Sequence, residues 1–560
     1  MTKEGTRMKP ALLSSLKTYN AKQFGNDLVA GLIVAIIALP LSIALAIASG
    51  VSPEQGIYTA VIAGFVIALL GGSRVQISGP TAAFATIVAG IVARNGMNGL
   101  IIATIIAGVI LIIMGLCKLG NLIRFIPFTI TTGFTAGIAV TIVLGQLKDF
   151  FGVTYPAGME TIETTQKVEA FFAGFGSFQW QALVVGIVCL AVLFVMPRIF
   201  PRLPGSLVAV VVGVLMVQFL PGFEGVPTIG NQYPDLKAGV PTLTMPEFSF
   251  EAIQNGLSDG FTIAVLAAIE SLLSCVVADS MIHSKHDSNM ELVAQGAGNI
   301  ASVLFGGIPA TGAIARTAAN VKNGGRTPIS GIVHAIVLFL ILIVLMPYAK
   351  WIPMPCIAAI LIMVAYNMCQ WRTFVHMVKT APKSDITVLV VTFLLTIIFD
   401  LVIAIEIGML MACVFFMKRM SDETGVKSWK YVPNDVNTPH DENEHLMKLP
   451  ESVRVYEITG PLFFGAASQL DHIIVKDMTK FLILRMRAVP SLDSTAMNAL
   501  IDLYNRCQLR GVKMVLSHVN EQPYHAMKKA GFIDLVGEEN IKPHIIAAIE
   551  HVTALADIHS

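Results

Sequence analysis

The residues able to do chemistry lie inside apolar sequence. Glu270, in Ala267-Ala268-Ile269-Glu270-Ser271-Leu272-Leu273-Ser274, is a carboxylate deep within a hydrophobic run. Such a charge at the centre of a bilayer costs ~2.5–3.5 kcal/mol on insertion scales, so it must face protein or a wet cavity. Two readings follow: a proton carrier, or a buried carboxylate that hydrogen-bonds backbone where helices are broken. Ser274 lies one turn on, shares that face and is a candidate polar contact. Arg316 is the second charge. It offers a full positive charge to an anion or to Glu270; alternatively it ends its segment and snorkels to water.

Two matching stretches complete the constellation. One holds Gly71-Gly72, then Ser78-Gly79-Pro80-Thr81 and Phe84; the other holds Gly306-Gly307, then Pro309-Ala310-Thr311-Gly312-Ala313 and Arg316. In each, a glycine pair ends an apolar run and a proline opens a helix of small residues. A helix start leaves outward-pointing N–H groups and the positive end of the dipole, a ready anion site. Ser78 reads as the N-cap of the first helix, with ligand contact from N–H groups near 79–82 and 310–314. Phe84 would wall the cavity. No nucleophile–base pair and no metal-type spacing of Cys, His or carboxylates stands in these runs, so no catalytic residue, cofactor or metal ligand is expected.

The elements that must position these groups are membrane helices. The chain is 560 residues long, 54% hydrophobic and 13% charged, against about 25% charged in a soluble domain, and its mean hydropathy is +0.71. Apolar segments fall near 28–47, 56–70, 81–93, 99–117, 127–146, 181–197, 205–220, 257–279, 291–305, 312–321, 329–347, 354–369, 385–399 and 401–417, fourteen in all. A crossing needs about 20 apolar residues, so 81–93 and 312–321 read as half-helices inside protein. With the N-terminus in the cytoplasm, thirteen Lys or Arg fall in inner loops and five in outer ones, the positive-inside bias. The protein is then multi-pass in the cytoplasmic (inner) membrane, with both termini cytoplasmic. No cleavable leader is expected. A net charge of +1 without a basic face argues against nucleic acid.

The fourteen segments divide seven and seven, about 27–220 and 257–419, which lays 71–84 over 305–317. Seven is odd, so the halves are inverted, and interrupted segments at matching positions mark a transporter site. Residues 1–26 read as a cytoplasmic segment, 27–419 as the transport domain and 420–450 as a polar linker. Residues 451–557 read as a soluble α/β domain. Its strands are expected at Val453–Ile458, Leu462–Phe464, Phe481–Met486 and Val512–Val519, and its helices at 466–479, 494–509, 521–530 and 541–556. Asp493-Ser494 reads as a helix N-cap or as a phosphorylated hydroxyl.

Taken together, Ser78–Phe84, Ile269-Glu270-Ser271-Leu272-Leu273, Glu291–Gly296 and Gly306–Asn320 resemble the SulP sulfate-permease family of anion transporters with a C-terminal STAS domain. Within that family the chain looks closest to the bacterial C4-dicarboxylic acid transporters. The resemblance implies a core (spans one to four and eight to eleven) moving elevator-fashion against a gate, and a homodimer. It places the anion between half-helices three and ten, and the site on 78–84, Glu270 and 310–316. In some sodium-coupled bicarbonate relatives an Asp stands a turn after the Glu, where this chain has Ser274; the departure argues against sodium coupling and leaves proton coupling or exchange. STAS domains phosphorylated at the matching hydroxyl have a glycine after it, where this chain has Ala496 and Met497. Expected partners are a small anion (sulfate, dicarboxylate or bicarbonate), membrane lipid, a second copy, and a cytoplasmic protein at the STAS domain. An anion channel, a bicarbonate transporter and a STAS-based membrane sensor or scaffold stay open as alternatives.

Overall fold

A computed structural model describes residues 8–159, 161–200, 204–234, 236, 239–399, 401–428, 452–473 and 478–558. Two compact units divide the chain, residues 1–409 and 410–560.

The first unit is helical. Its helices are α1 (Ala21–Ala48), α2 (Pro53–Leu70), α3 (Ala82–Leu116), α4 (Phe128–Phe151), α5 (Trp180–Ile199), α6 (Gly205–Phe219) and α7 (Phe250–Ile282). They continue as α8 (Ser288–Leu304), α9 (Ile314–Lys322), α10 (Ile329–Leu345), α11 (Met354–Cys369), the short α12 (Trp371–Thr380), α13 (Lys383–Ile398) and α14 (Leu401–Glu423), which runs into the second unit. Local chemistry sets the starts. Asn20 caps α1 by accepting from the Gln23 N–H at 2.9 Å, and α2 opens on Pro53 with Gln55 reaching back to the Ser52 N–H at 3.1 Å. Gly96, at φ 66° and ψ −172°, breaks α3 into two arms, one for 81–93 and one for 99–117. Every apolar segment read from sequence lies in one of these helices.

The packing has the symmetry of an inverted repeat. Exchanging the halves maps α1 on α7, α2 on α8, the arms of α3 on α9 and α10, α4 on α11, and α5 on α13. Helix α2 packs on α8, and α4 on α11, each pair mapping to itself. The α1–α10 and α3–α7 contacts exchange with each other, as do α2–α10 with α3–α8, and α4–α13 with α5–α11. Small residues allow the closest crossings: Cβ atoms built at Gly108 and Gly296 would lie 2.8 and 2.4 Å from each other's carbonyl oxygens. The protein is thus a polytopic helical membrane protein of two inverted halves. By contact, α1–α3 group with α7–α10, and α4–α6 with α11 and α13.

The second unit carries a five-stranded sheet of β3 (Gly425–Ser428), β4 (Val453–Thr459), β5 (Phe481–Ala488), β6 (Lys513–Ser517) and β7 (Ile541–Lys542); β1 and β2 belong to the site below. Strand β3 pairs antiparallel with β4, and the others run parallel. Helices α15 (Ser494–Leu509), α16 (Glu521–Lys529), α17 (Phe532–Val536) and α18 (Ile545–Ile558) accompany it. Leu482 and Leu484 pack into one apolar core with Leu500 and Leu503, while Phe481 and Ile483 pack with Ala548 and Val552 into another; alternation along β5 fills both faces.

The second unit differs from the sequence reading in several boundaries: Ile541–Lys542, expected to open the last helix, form β7, and α18 starts at Ile545. Leu462–Phe464 is no strand but a single bridge from Leu462 to Leu492. Of the helix expected at 466–479, Ala467–His472 form a 3-10 turn, and 474–477 lie outside the described residues. Residues 425–428, assigned to the linker by their polarity, form an edge strand, where half-exposed polar residues pair well. Most of the linker, 429–451, and residues 1–7 of the N-terminal segment lie outside the described residues.

Candidate anion-binding site

The two Gly/Pro stretches meet. Strands β1 (Ser78–Gly79) and β2 (Thr311–Gly312) pair antiparallel, Ser78 opposite Gly312 and Gly79 opposite Thr311. The first arm of α3 starts at Ala82 behind Thr81, and α9 at Ile314 behind Ala313; neither N-cap residue supplies a side-chain cap. The Phe84 N–H donates to the Thr81 carbonyl at 3.2 Å; the N–H groups of Ala82 and Ala83 in α3 and of Ile314–Arg316 in α9 have no partner among the described residues.

Glu270, half-buried on α7, sits where the two halves join. Its Oε2 accepts from Thr81 Oγ1 at 2.9 Å and Thr311 Oγ1 at 2.7 Å. One hydroxyl from each half thus holds one carboxylate oxygen. Phe84 is buried one turn into α3 at 1% exposure.

Arg316 neither snorkels nor pairs with Glu270. It is 2% exposed, and its Nη2 donates to the Pro80 carbonyl at 2.9 Å. A Cβ at Gly79 would lie 2.5 Å from Arg316 Nη1; only glycine lets the guanidinium pass this close to β1. A fixed cation thus lies directly against the first helix start.

The remaining polar residues hold the ladder. Ser78 is not an N-cap: the chain stays extended through Thr81, at φ −125° and ψ 157°, and the Ser78 hydroxyl accepts from Gln295 Nε2 at 3.3 Å. Gln295 also donates to Glu291, whose Oε2 accepts the N–H groups of Gly72 and Ser73 at 2.9 and 3.1 Å. Asn299 clasps the backbone of Ala310, accepting from its N–H at 2.8 Å and donating to its carbonyl at 2.9 Å. The Gly312 N–H goes to Ser271 Oγ at 3.1 Å and that of Ala313 to the Ile77 carbonyl at 2.9 Å. The amides at 310, 312 and 313, expected to contact the ligand, are therefore spent on the fold. Ser274 is buried one turn below Glu270 and donates to Thr317 Oγ1 at 3.4 Å; Thr317 in turn accepts the Ile77 N–H at 3.0 Å. It braces the scaffold.

His334, fully buried on α10, was not singled out by sequence. A lone ring in the run Ile332-Val333-His334-Ala335-Ile336 is the signal that could have found it.

Two facing helix starts, a titratable carboxylate and a fixed cation inside inverted membrane repeats define a transporter of anions. Residues 24–392 match the family model described as the sulfate permease family, and residues 446–548 match the STAS domain. The chain belongs to the sulfate permease family, and it is a membrane anion transporter and not an enzyme.

Its relatives include YvdB of Bacillus subtilis (strain 168), a provisionally named sulfate transporter, 39% identical over 94% of this chain and 98% of that one. The bicarbonate transporter BicA of a Picosynechococcus strain is 32% identical over 85% of each. Among solved structures, the transmembrane domain of a cyanobacterial BicA superposes with a TM-score of 0.61 at 30% identity, covering 70% of this chain and 98% of that one. Murine Slc26a9 in its inward-facing state gives 0.86 at 18% identity, covering 98% and 94%, a likeness of fold.

Proposed function

We propose that this protein is a secondary active transporter of a small oxyanion or carboxylate, coupled to protons or working by exchange. The observation that carries the reading is Glu270 held by Thr81 and Thr311 between two uncapped helix starts. The helix ends and Arg316 attract the anion. An ionised Glu270 beside it repels it, so a proton on Glu270 and an anion at the helix starts favour each other. Gln in place of Glu270 mimics the protonated state. Ser274, spent on Thr317, leaves one carboxylate here, which suits a proton better than sodium.

The substrate class is sulfate, bicarbonate or a C4-dicarboxylate, supported by the names that YvdB and BicA carry and by the resemblance noted from sequence. The core, with both helix starts on it, would carry the anion past the gate as an elevator. A homodimer and an inner-membrane location with cytoplasmic termini and STAS domain belong to the same reading. Glu406 supports the dimer: it lies exposed on α14 beside exposed Ile403 and Ile407, a carboxylate that a bilayer would not tolerate uncovered. The STAS domain would anchor or regulate through a cytoplasmic protein.

Counterflow in proteoliposomes tests the function, with sulfate, bicarbonate, chloride, succinate and fumarate compared across pH. Saturable exchange of one class, with Glu270→Gln stripped of the pH response, is the expected result. Large unitary currents would make the protein a channel, and an inert wild type with intact partner binding would make it a sensor.

A further inference from the structure

His334 is 0% exposed, and neither ring nitrogen has a hydrogen-bond partner among the described residues. Burying polar atoms unpaired is costly, so such a group calls for an explanation. Arg316 has the same property: its Nε and Nη1 lack partners among the described residues, while Nη2 holds the Pro80 carbonyl.

Three relationships bring the two side chains together. Asn320 on α9 donates to Ser330 on α10 at 2.8 Å. Arg316 lies one turn before Asn320 on α9, and His334 one turn after Ser330 on α10. Their neighbours on α2 agree. A Cβ at Gly79 would lie 2.5 Å from Arg316 Nη1 and 3.5 Å from Ala60, whereas one at Gly64 would lie 3.2 Å from the Ser78 carbonyl and 3.9 Å from His334 Nδ1. Ala60 and Gly64 are one turn apart, so guanidinium and imidazole follow one another along α2, behind Gly79 and Ser78. Finally, the backbone atoms that the two side chains approach belong to Ser78 and Gly79, consecutive residues of β1.

The chemistry is complementary. A guanidinium has donors and no acceptor, and a neutral imidazole offers one acceptor nitrogen. No direct bond joins them, and one buried water accepting from the guanidinium and donating to the ring would satisfy both. The carboxylates on packed elements are committed elsewhere: Asp27 of α1 to the N–H of Arg326 and the hydroxyl of Thr327, Glu270 to its threonines.

We propose that His334 is a positioning residue of the anion site: its neutral imidazole, through a bridging water, fixes the Arg316 guanidinium behind the paired strands. The inference rests on Arg316 serving the anion. Without this brace, only the Pro80 carbonyl and the close approach to Gly79 hold the guanidinium, and its charge is freer to shift away from the helix starts.

The test uses the full chain in proteoliposomes and counterflow of sulfate, or of bicarbonate where sulfate gives none. His334→Leu is expected to raise KM about 10-fold, as for a lost hydrogen bond to a charged group, with kcat within about 2-fold. His334→Gln and His334→Asn, which keep an acceptor, are expected to restore most of the KM. Thermal stability of each variant, followed by size exclusion, separates positioning from misfolding. Wild-type KM in His334→Leu, or Gln and Asn variants no better than Leu, overturns the inference. Arg316→Gln is run alongside. Unchanged KM there would sink the reading of the site itself; raised KM there, with His334→Leu unaffected, would sink this inference alone.

Discussion

Thr81 and Thr311 stand 230 positions apart in sequence with their hydroxyl oxygens 3.2 Å apart, and both donate to the same oxygen of Glu270. The carboxylate is therefore a reporter of how the two halves meet. A hydrogen bond to a charged group contributes about 1.5–3 kcal/mol. Thr311→Val keeps the shape and removes the donor, so initial uptake rates in proteoliposomes should fall about 10-fold or more, while Thr311→Ser stays near wild type. Because the threonines share one acceptor, Thr81→Val and Thr311→Val should be non-additive in a double-mutant cycle. Additive losses would mean that the two hydroxyls act separately.

Glu270→Gln should fold and reach the membrane, since the amide keeps an oxygen acceptor for both threonines. Wild-type uptake is expected to rise as the pH falls, because protonation removes the charge that opposes the anion. The Gln variant should lose that slope. Tracer uptake at a series of external pH values reads this, and a variant with the wild-type profile would place proton coupling elsewhere.

How much of this was legible beforehand follows from the solvent. A bilayer penalises every unpaired polar group, so Glu270, Arg316 and the two Gly/Pro breaks stand out in sequence. Two-residue strands have no periodicity to read, so the β1–β2 ladder was invisible and Ser78 was assigned to a cap. Asn299 and Gln295, polar residues on α8, support the backbone of Ala310 and the hydroxyl of Ser78. Their types were legible and their partners were not, because the partners lie on other elements. In the soluble domain, alternation revealed β4, β5 and β6, while β3 has too few apolar residues to separate from a linker.

Gly72 marks another relationship that composition alone could not supply. A Cβ there would lie 2.1 Å from the carbonyl oxygen of Asp287 and 3.1 Å from the amide nitrogen of Glu291. Both are backbone atoms at the start of α8, so neither can swing away. Gly72→Ala should cost about 1–3 kcal/mol as overpacking, and should loosen the grip of Glu291 on the Gly72 and Ser73 N–H groups. A lower melting temperature of the purified protein with reduced uptake is the expected result. Gly25→Ala, where a Cβ would meet nothing within 4 Å, serves as the control and should leave both unchanged.

The STAS domain has its own pH response. Burial, and then the ammonium groups of Lys542 and Lys513, hold the pKa of His551 below its ordinary value, with Glu539 pulling weakly the other way. The unfolded chain takes a proton on this ring near pH 6.5, and the folded domain does so only at lower pH. The domain's stability from this group is therefore complete above about pH 6.5 and is lost as the pH falls through the folded value. His551 also meets Asn540 Oδ1 through Nε2 at 3.1 Å, a bond that a neutral Nε2–H tautomer can donate. His551→Gln keeps a donor and removes the titration. Denaturant unfolding of the soluble domain between pH 7.5 and 5 should show a shallower acid loss in that variant than in wild type, with similar midpoints at the alkaline end. Parallel curves would assign the acid response to the domain's carboxylates instead.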